Sequence, residues 1–505
     1  MLAIIRAATL LGVRGTPVSV EVHVSDGLPG FTIVGLPDAS CREARDRVRA
    51  ALLSCDLVWP DKRTTVNLAP SGIRKVGAGL DLAIAVGVLL ASQQIPDSAR
   101  SLAYLGELGL DGSVRPVLGM VPLAACLEPS ELVVAEANAT EADVIGQHTV
   151  RPVRSITELI ACLKAEEPWS QPSRAPDEVP VSSIDMSDVR GNPVARFAVE
   201  VAAAGGHHLL MVGPPGAGKT MLAERLPTIM GTLDDVDAIE VTTIHSAAGE
   251  PLPPSGLVRT PPFRAPHHTV SQVALVGGGT HALKPGEISL AHGGVLFLDE
   301  MGEFSGVSLD AMRQPLESGY VQISRAHASA TIPASFQLVG SMNPCPCGFA
   351  GTQSGVCRCT SAALGRYARR ISGPLLDRFD LRLRVEATES SQLMSAEPGE
   401  SSQVVAARVA AARARAAERG VIANRFLTSA QLELVAPIDR FGRRLLEDAI
   451  RSGQLSGRGL RRIRLVALTL DDLRGGDGHL DLDVIAQAMA LRAELRFGEP
   501  EWGAA

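Results

Sequence analysis

The run Gly213-Pro214-Pro215-Gly216-Ala217-Gly218-Lys219-Thr220 has the residue types and spacing of a phosphate-binding loop. Backbone at Gly213, Gly216 and Gly218 can wrap closely around phosphates and aim its N–H groups inward at the start of a helix. Lys219 is suited to reach the β- and γ-phosphates, and the Thr220 hydroxyl to ligate Mg2+. Further along, Gly294 to Glu300 reads Gly-Val-Leu-Phe-Leu-Asp-Glu, an apolar strand that ends in two carboxylates. Asp299 suits the magnesium shell, and Glu300 suits orienting or deprotonating an attacking water. In this order the two motifs predict an ATPase that uses ATP with Mg2+.

Three more groups carry chemistry. Asn343 closes a predicted strand over Phe336 to Ser341 and is placed to hydrogen-bond that water or the γ-phosphate; a turn asparagine before Pro344 is the alternative. Arg378, in Leu375-Leu376-Asp377-Arg378-Phe379-Asp380, is either a structural arginine or a finger that reaches a neighbouring subunit's γ-phosphate. Cys345, Cys347, Cys357 and Cys359 form two C-x-C pairs. Four thiolates suit a tetrahedral structural Zn2+ with no open catalytic position, against free thiols or a redox pair.

The elements that position these groups follow from pattern. His207 to Val212 predicts the strand before the loop, and Thr220 to Leu226 starts the helix after it. In the first part of the chain Val18, Val20, Val22 and Val24 alternate with polar residues, as in a half-buried strand. Ser40 to Leu53 has helical periodicity with Ser40 as the expected cap, and Asp81 to Ser92 is a nearly all-apolar helix. Leu108 to Val114 predicts a hairpin turning at Asp111-Gly112. The expected organisation is an α/β domain over 1–165, a linker over 166–185, an α/β nucleotide domain over 186–385 and a helical lid over 386–505. Within the lid, Val404 to Glu418 predicts an Ala/Arg helix, with two or three further helices to about Phe497.

Composition narrows the classes. The chain has 505 residues, 46% apolar and 20% charged, with a formal charge of −7. That charge gives no general attraction to nucleic acid, so any basic surface is local. Aromatics at 3% disfavour a mechanism based on stacking bases against many rings. Arg6 interrupts the apolar start, which predicts a first strand rather than an export signal. No run approaches the roughly 20 apolar residues of a membrane span. Scattered Cys41, Cys55, Cys126 and Cys162 fit reduced thiols in a cytoplasm.

The nucleotide motifs resemble those of AAA+ ATPases. The segments Phe263-Arg264-Ala265-Pro266-His267-His268-Thr269, Lys284 to His292 and Ser372 to Arg378 are similar to the magnesium-chelatase branch, in particular the YifB/ComM group. The resemblance extends over nearly the whole chain. It implies that Arg378 is the arginine finger, that Asn343 senses the γ-phosphate and that a lid arginine, Arg458 with Arg462 in reserve, is a second sensor. It implies a homo-oligomeric ring, hexameric by family. It also implies that insertions at His267-His268 and at Val321 to Pro333, with Arg325 near its tip, project into the pore, unless the histidines are a packed pair stabilising the insertion.

Asp81 to Ala85 and Gly106 to Gly109 resemble the Lon-protease fold, but Gly79 and Val121 stand where its serine and lysine are expected. Ser71 and Lys75 do not fall at the matching positions, which predicts a module without protease chemistry. Within the group the resemblance implies a DNA helicase or branch-migration factor in recombination or natural transformation, acting on single-stranded or branched DNA. A helix carrying Arg408, Arg413, Arg415 and Arg419 suits phosphate contacts, or else is a solvated or lid-packing helix. The alternatives are a magnesium-chelatase motor subunit for porphyrin metalation and an ATP-dependent protein remodeller or protease.

Overall fold

The structure, a computed structural model, describes residues 1–173, 175–176, 183–279, 283–325, 328–350, 357–387 and 398–492. Parts of the expected linker, of the polar stretch after 386 and of the chain's end lie outside these residues.

Strands β1 (Leu2–Leu11), β2 (Arg14–Ser25), β3 (Gly30–Val34), β4 (Arg63–Ala69), β5 (Ala103–Leu105), β6 (Glu131–Ala135) and β7 (Thr149–Val153) form one mixed sheet in the order β3-β4-β2-β1-β5-β6-β7. Val18, Val20, Val22 and Val24 are all buried on one face of β2, as the alternation requires. Helices α1 (Ala39–Ser54) and α2 (Asp81–Ala91) cover that face, and every residue of α2 is buried. The cap of α1 is Asp38 rather than Ser40: its carboxylate accepts from the Cys41 N–H at 2.8 Å. Asp38 has the extended backbone that a capping side chain needs, whereas Ser40 already lies inside the helix. Arg47 on α1 meets the buried Asp81 on α2 at 2.7 Å, tying the two helices.

Next come α3 (Pro193–Gly205), strand β8 (Leu209–Val212), α4 (Lys219–Arg225), α5 (Asp235–Ala248), β9 (Phe263–Arg264) and β10 (Val295–Leu298). A hairpin of β11 (Tyr320–Arg325) and β12 (Ala328–Pro333) precedes β13 (Gln337–Met342), α6 (Ser361–Arg370) and β14 (Leu381–Arg384). Strands β9-β10-β13-β8-β14 make a second sheet, wholly parallel. All residues of β8, β10 and β13 are buried; β8 and β10 are continuous apolar runs rather than alternating ones, and β13 also buries Gln337 and Ser341. The strand before the loop begins at Leu209, not His207. His207 and His208 are buried at its start, where the His207 carbonyl accepts from Gln337 at 2.8 Å and the His208 ring accepts from the Leu338 N–H at 2.9 Å.

Helices α7 (Ser402–Glu418), α8 (Ser429–Val435), α9 (Arg440–Arg451), α10 (Gly457–Arg474) and α11 (Leu482–Ala490) follow, so among the described residues four helices come after α7 where two or three were expected to about Phe497, which itself lies outside them. Val405 and Val409 of α7, Leu465 and Leu468 of α10, and Ile485 of α11 share one apolar core with Val199 and Leu209. The first sheet's module docks on α5: the Gly119 N–H donates to the Ser246 carbonyl at 3.0 Å and the Val121 N–H to the Ser246 hydroxyl at 3.2 Å.

Candidate nucleotide site

In a parallel sheet the strand ends at the carboxyl edge collect ligands, and three strands end there with polar groups. β8 runs into the loop, whose Gly216 and Gly218 have φ of 78° and 80°, the left-handed backbone that glycine tolerates. Gly213 needs its missing side chain for another reason: a Cβ there would lie 2.0 Å from the Val385 carbonyl oxygen. Pro214 and Ala217 are buried and Pro215 is exposed, so the loop is anchored on one side and open on the other. The buried Lys219 ammonium donates to the carbonyls of Gly213 and Pro214 at 2.7 and 2.8 Å and lies 3.4 Å from Asn343 Oδ1. Burial pulls the Lys219 pKa down, against the opposing charges of Asp299 and Glu300.

Thr220, at the start of α4, donates its hydroxyl to Asp299 Oδ2 at 2.9 Å. Hydroxyl and carboxylate from two elements therefore meet, as two ligands of one hard cation would. Asp299 Oδ1 accepts the Glu300 N–H at 2.9 Å. Glu300 turns the chain with φ of 49°, a left-handed conformation unusual for a side chain of its size. That turn leaves its carboxylate exposed beside the loop. Asn343 follows β13, the strand between β8 and β10, so the lysine, the acidic pair and the asparagine converge on one edge.

One neighbour of this site was not foreseen. His268 Nδ1 lies 3.5 Å from Glu300 Oε2, and its ring packs against His267 at 4.0 Å between centroids. Arg264 anchors this segment through Glu287 at 2.7 Å and Glu250 at 3.0 Å. The histidines are a packed pair, with one face on Glu300. The sequence offered no spacing signal for that contact, because the two residues are joined only by the fold.

Arg378 sits elsewhere. It precedes Leu381, the first residue of β14, so it lies at the amino edge of the sheet, opposite the loop. Its guanidinium pairs with Glu317 and donates to the Pro374 carbonyl at 3.4 Å. Arg378 lines a cavity of about 500 Å³ with Arg458, Arg461, Arg462, His208 and Phe336, the last two also preceding strands. Arg458 and Arg378 thus share a cavity away from their own chain's phosphate loop. Arg462 is committed to the fold: it pairs with buried Asp380 and donates to the Arg378 carbonyl at 2.8 Å.

The basic face expected on α7 is not displayed. Arg408 pairs with Glu200 at 2.6 Å and Glu400 at 2.8 Å, and Arg419 with Asp472 at 2.6 Å. Arg413 donates to the Ala203 and Met230 carbonyls at 2.8 and 3.0 Å, and Arg415 to the Gly476 carbonyl. Of the two readings for this helix the structure takes lid packing, since carbonyls and carboxylates of the elements around it consume its guanidiniums.

Family models described as magnesium chelatase, subunit ChlI, match residues 185–393; subunit ChlI of Mg-chelatase, residues 20–138; and subunit ChlI C-terminal, residues 399–492. An uncharacterized Mycobacterium tuberculosis protein is 44% identical over 95% of this chain and 96% of its own. Competence protein ComM of Haemophilus influenzae is 41% identical over 98% of both chains, and the uncharacterized protein YifB of Escherichia coli 40% over 94% of both. The chain belongs to the YifB/ComM family. Members of this family have a magnesium chelatase-like domain of the AAA+ ATPase type, which implies ATP and Mg2+ as cofactors. Lon protease 2 of Bacillus subtilis is 26% identical over 32% of this chain, in keeping with a Lon-like component of the α/β fold. Among the described residues no helix is long and apolar enough to cross a membrane.

Proposed function

We propose that this protein is an ATP-hydrolysing ring motor that acts on single-stranded or branched DNA, as a helicase or branch-migration factor in recombination or natural transformation. The observation that carries the ring is the division of arginines from phosphate loop. Lys219, Thr220, Asp299, Glu300 and Asn343 converge on one edge of the sheet, while Arg378 and Arg458 line a cavity at the other. In a closed homo-oligomer, hexameric by family, each loop faces the next subunit's arginine edge, and a finger supplied in trans stabilises charge on the transferring phosphoryl group. In this reading Thr220 and Asp299 organise Mg2+, Glu300 activates water and Asn343 senses the γ-phosphate. A structural Zn2+ belongs to the four cysteines, and the motor works in the cytoplasm.

The choice of DNA rests on family resemblance and on the relative named a competence protein. Contacts to phosphates would weaken steeply with salt. The test is the ATPase rate of the full chain with and without single-stranded and forked DNA, followed by strand displacement. Stimulation and unwinding are expected; DNA-independent hydrolysis without unwinding would overturn the reading. The match to magnesium-chelatase subunit ChlI models favours a second one, a magnesium-chelatase motor subunit, and stimulation by a porphyrin-metalating partner instead of DNA would establish it. A protease is disfavoured: Gly79 and Val121 provide no nucleophile or base, and the Lys75 ammonium is fully buried on the Pro70 carbonyl while Ser71 is exposed.

A further inference from the structure

We propose that Cys345, Cys347, Cys357 and Cys359 bind one Zn2+ as a closed tetrathiolate site, and that this ion ties the strand exit after Asn343, which packs on the phosphate loop, to the start of α6. The positioning half of the proposal rests on the nucleotide-site reading above; the metal half does not. The four sulfurs lie within 4.8 Å of one another, with separations of 3.3, 3.7 and 3.6 Å among Cys345, Cys347 and Cys357. Zn–S bonds of about 2.3 Å place tetrahedral ligand sulfurs about 3.8 Å apart, so the cluster already approximates the coordination tetrahedron. A disulfide accounts for only two of the four, and the 3.3 Å between Cys345 and Cys347 is a non-bonded contact.

The surrounding backbone is arranged for a sulfur-bound cation. The Ala350 N–H donates to Cys345 Sγ at 3.2 Å, spreading thiolate charge as outer-shell donors do. The Gly348 N–H turns back to the Cys345 carbonyl at 2.9 Å, with φ of 83° at Gly348, which tightens the first C-x-C pair.

Three contacts join this loop to the nucleotide site. Cys345 lies two residues after Asn343 on the same strand exit. Gly348 is pressed on the phosphate loop so closely that a Cβ there would stand 2.7 Å from Pro215 Cδ. On the far side, Cys359 leads directly into α6, whose Tyr367 donates to the Asn343 carbonyl at 3.1 Å. Tyr367 also packs over Gly302, where a Cβ would fall 2.5 Å from its ring, and Arg370 donates to the Gly302 carbonyl at 2.7 Å. An ion linking both ends of this segment therefore fixes the sensor asparagine, the phosphate loop and the turn after Glu300 together. Loss of the ion frees all three.

The experiment uses the full chain, purified with a reductant and without chelators. Metal analysis should find one zinc per chain, released as a mercurial titrates the thiols, and Co2+ substitution should give thiolate-to-cobalt charge-transfer bands. Cys357→Ser and Cys359→Ser should lose the zinc, while Cys55→Ser keeps it. Binding of a fluorescent ATP analogue with Mg2+ and steady-state turnover are then read on the same samples. With the sensor displaced by about an ångström, turnover should fall by about 10²-fold. Stepwise release of zinc from the wild-type chain should give the same loss, which separates the effect from misfolding of a variant. Wild-type protein without zinc, or with iron and sulfide in its place, overturns the metal site. Turnover and nucleotide binding unchanged after zinc release overturn the positioning half. Because zinc is measured without nucleotide, failure of the ATPase reading is a separate result.

Discussion

At Glu300 the backbone and the side chain have different partners. The left-handed turn at φ of 49° is held by the Asp299 carboxylate, while the side chain faces solvent and His268. Replacing the carboxylate with an amide keeps size and turn but removes the proton acceptor. Glu300→Gln is therefore expected to bind ATP with near-normal affinity and to hydrolyse it about 10²–10⁴-fold more slowly. Nucleotide titration and steady-state hydrolysis check this, and a wild-type rate would remove Glu300 from the proposed mechanism. The acid itself was legible in Leu298-Asp299-Glu300. The histidine beside it was not, because thirty-one intervening residues must fold before the two meet.

Among the elements, β14 and α10 show how arginines of the same type separate by environment. Asp380, just before β14, is buried, and burial pushes its carboxyl pKa up. The His207 ring at 3.7 Å and the Arg462 guanidinium more than reverse this, so the net shift is downward. A carboxylate depressed in this way contributes its stabilisation fully above the ordinary aspartate range and loses it only as acid protonates the group. Removing Arg462 leaves that buried charge without its guanidinium partner. Arg462→Ala is expected to cost about 3–5 kcal/mol by chemical denaturation at neutral pH. Exposed Arg458 has no partner among the described residues, and Arg458→Ala should stay within about 0.5 kcal/mol. A reversed ranking would exchange their roles. The sequence presented four competing arginines in Arg458 to Arg464; packing sorts them, sending Arg462 to Asp380, Arg461 to the Leu427 carbonyl and Arg464 to Glu433.

For the whole molecule, opposite placement of the loop and Arg378 makes a prediction about mixtures. Lys219→Ala should lose nucleotide binding, and Arg378→Ala should bind nucleotide yet turn over about 10³–10⁵-fold more slowly. Mixed together, they should regain part of the activity. Some interfaces then pair an intact loop on one chain with an intact arginine on the other. ATPase rate against mixing ratio measures this, and a strictly additive curve would refute the trans assignment.

What the sequence by itself determined are the features set by short spacing. The loop from Gly213 to Thr220, the acidic strand end, the C-x-C pairs and the alternation in β2 depend on neighbours within a few residues, where backbone geometry alone decides position. The AAA+ resemblance rested on the nucleotide motifs and their order, and the YifB/ComM resemblance on segments such as Phe263 to Thr269 and Ser372 to Arg378. Tertiary structure decided what depends on the two edges of one parallel sheet. It set Arg378 and Arg458 opposite their own loop, turned the α7 arginines inward to Glu200, Ala203 and Asp472, and brought His268 to Glu300. A guanidinium's role is fixed by which carboxylate or carbonyl it finally reaches, and spacing along the chain carries no record of that.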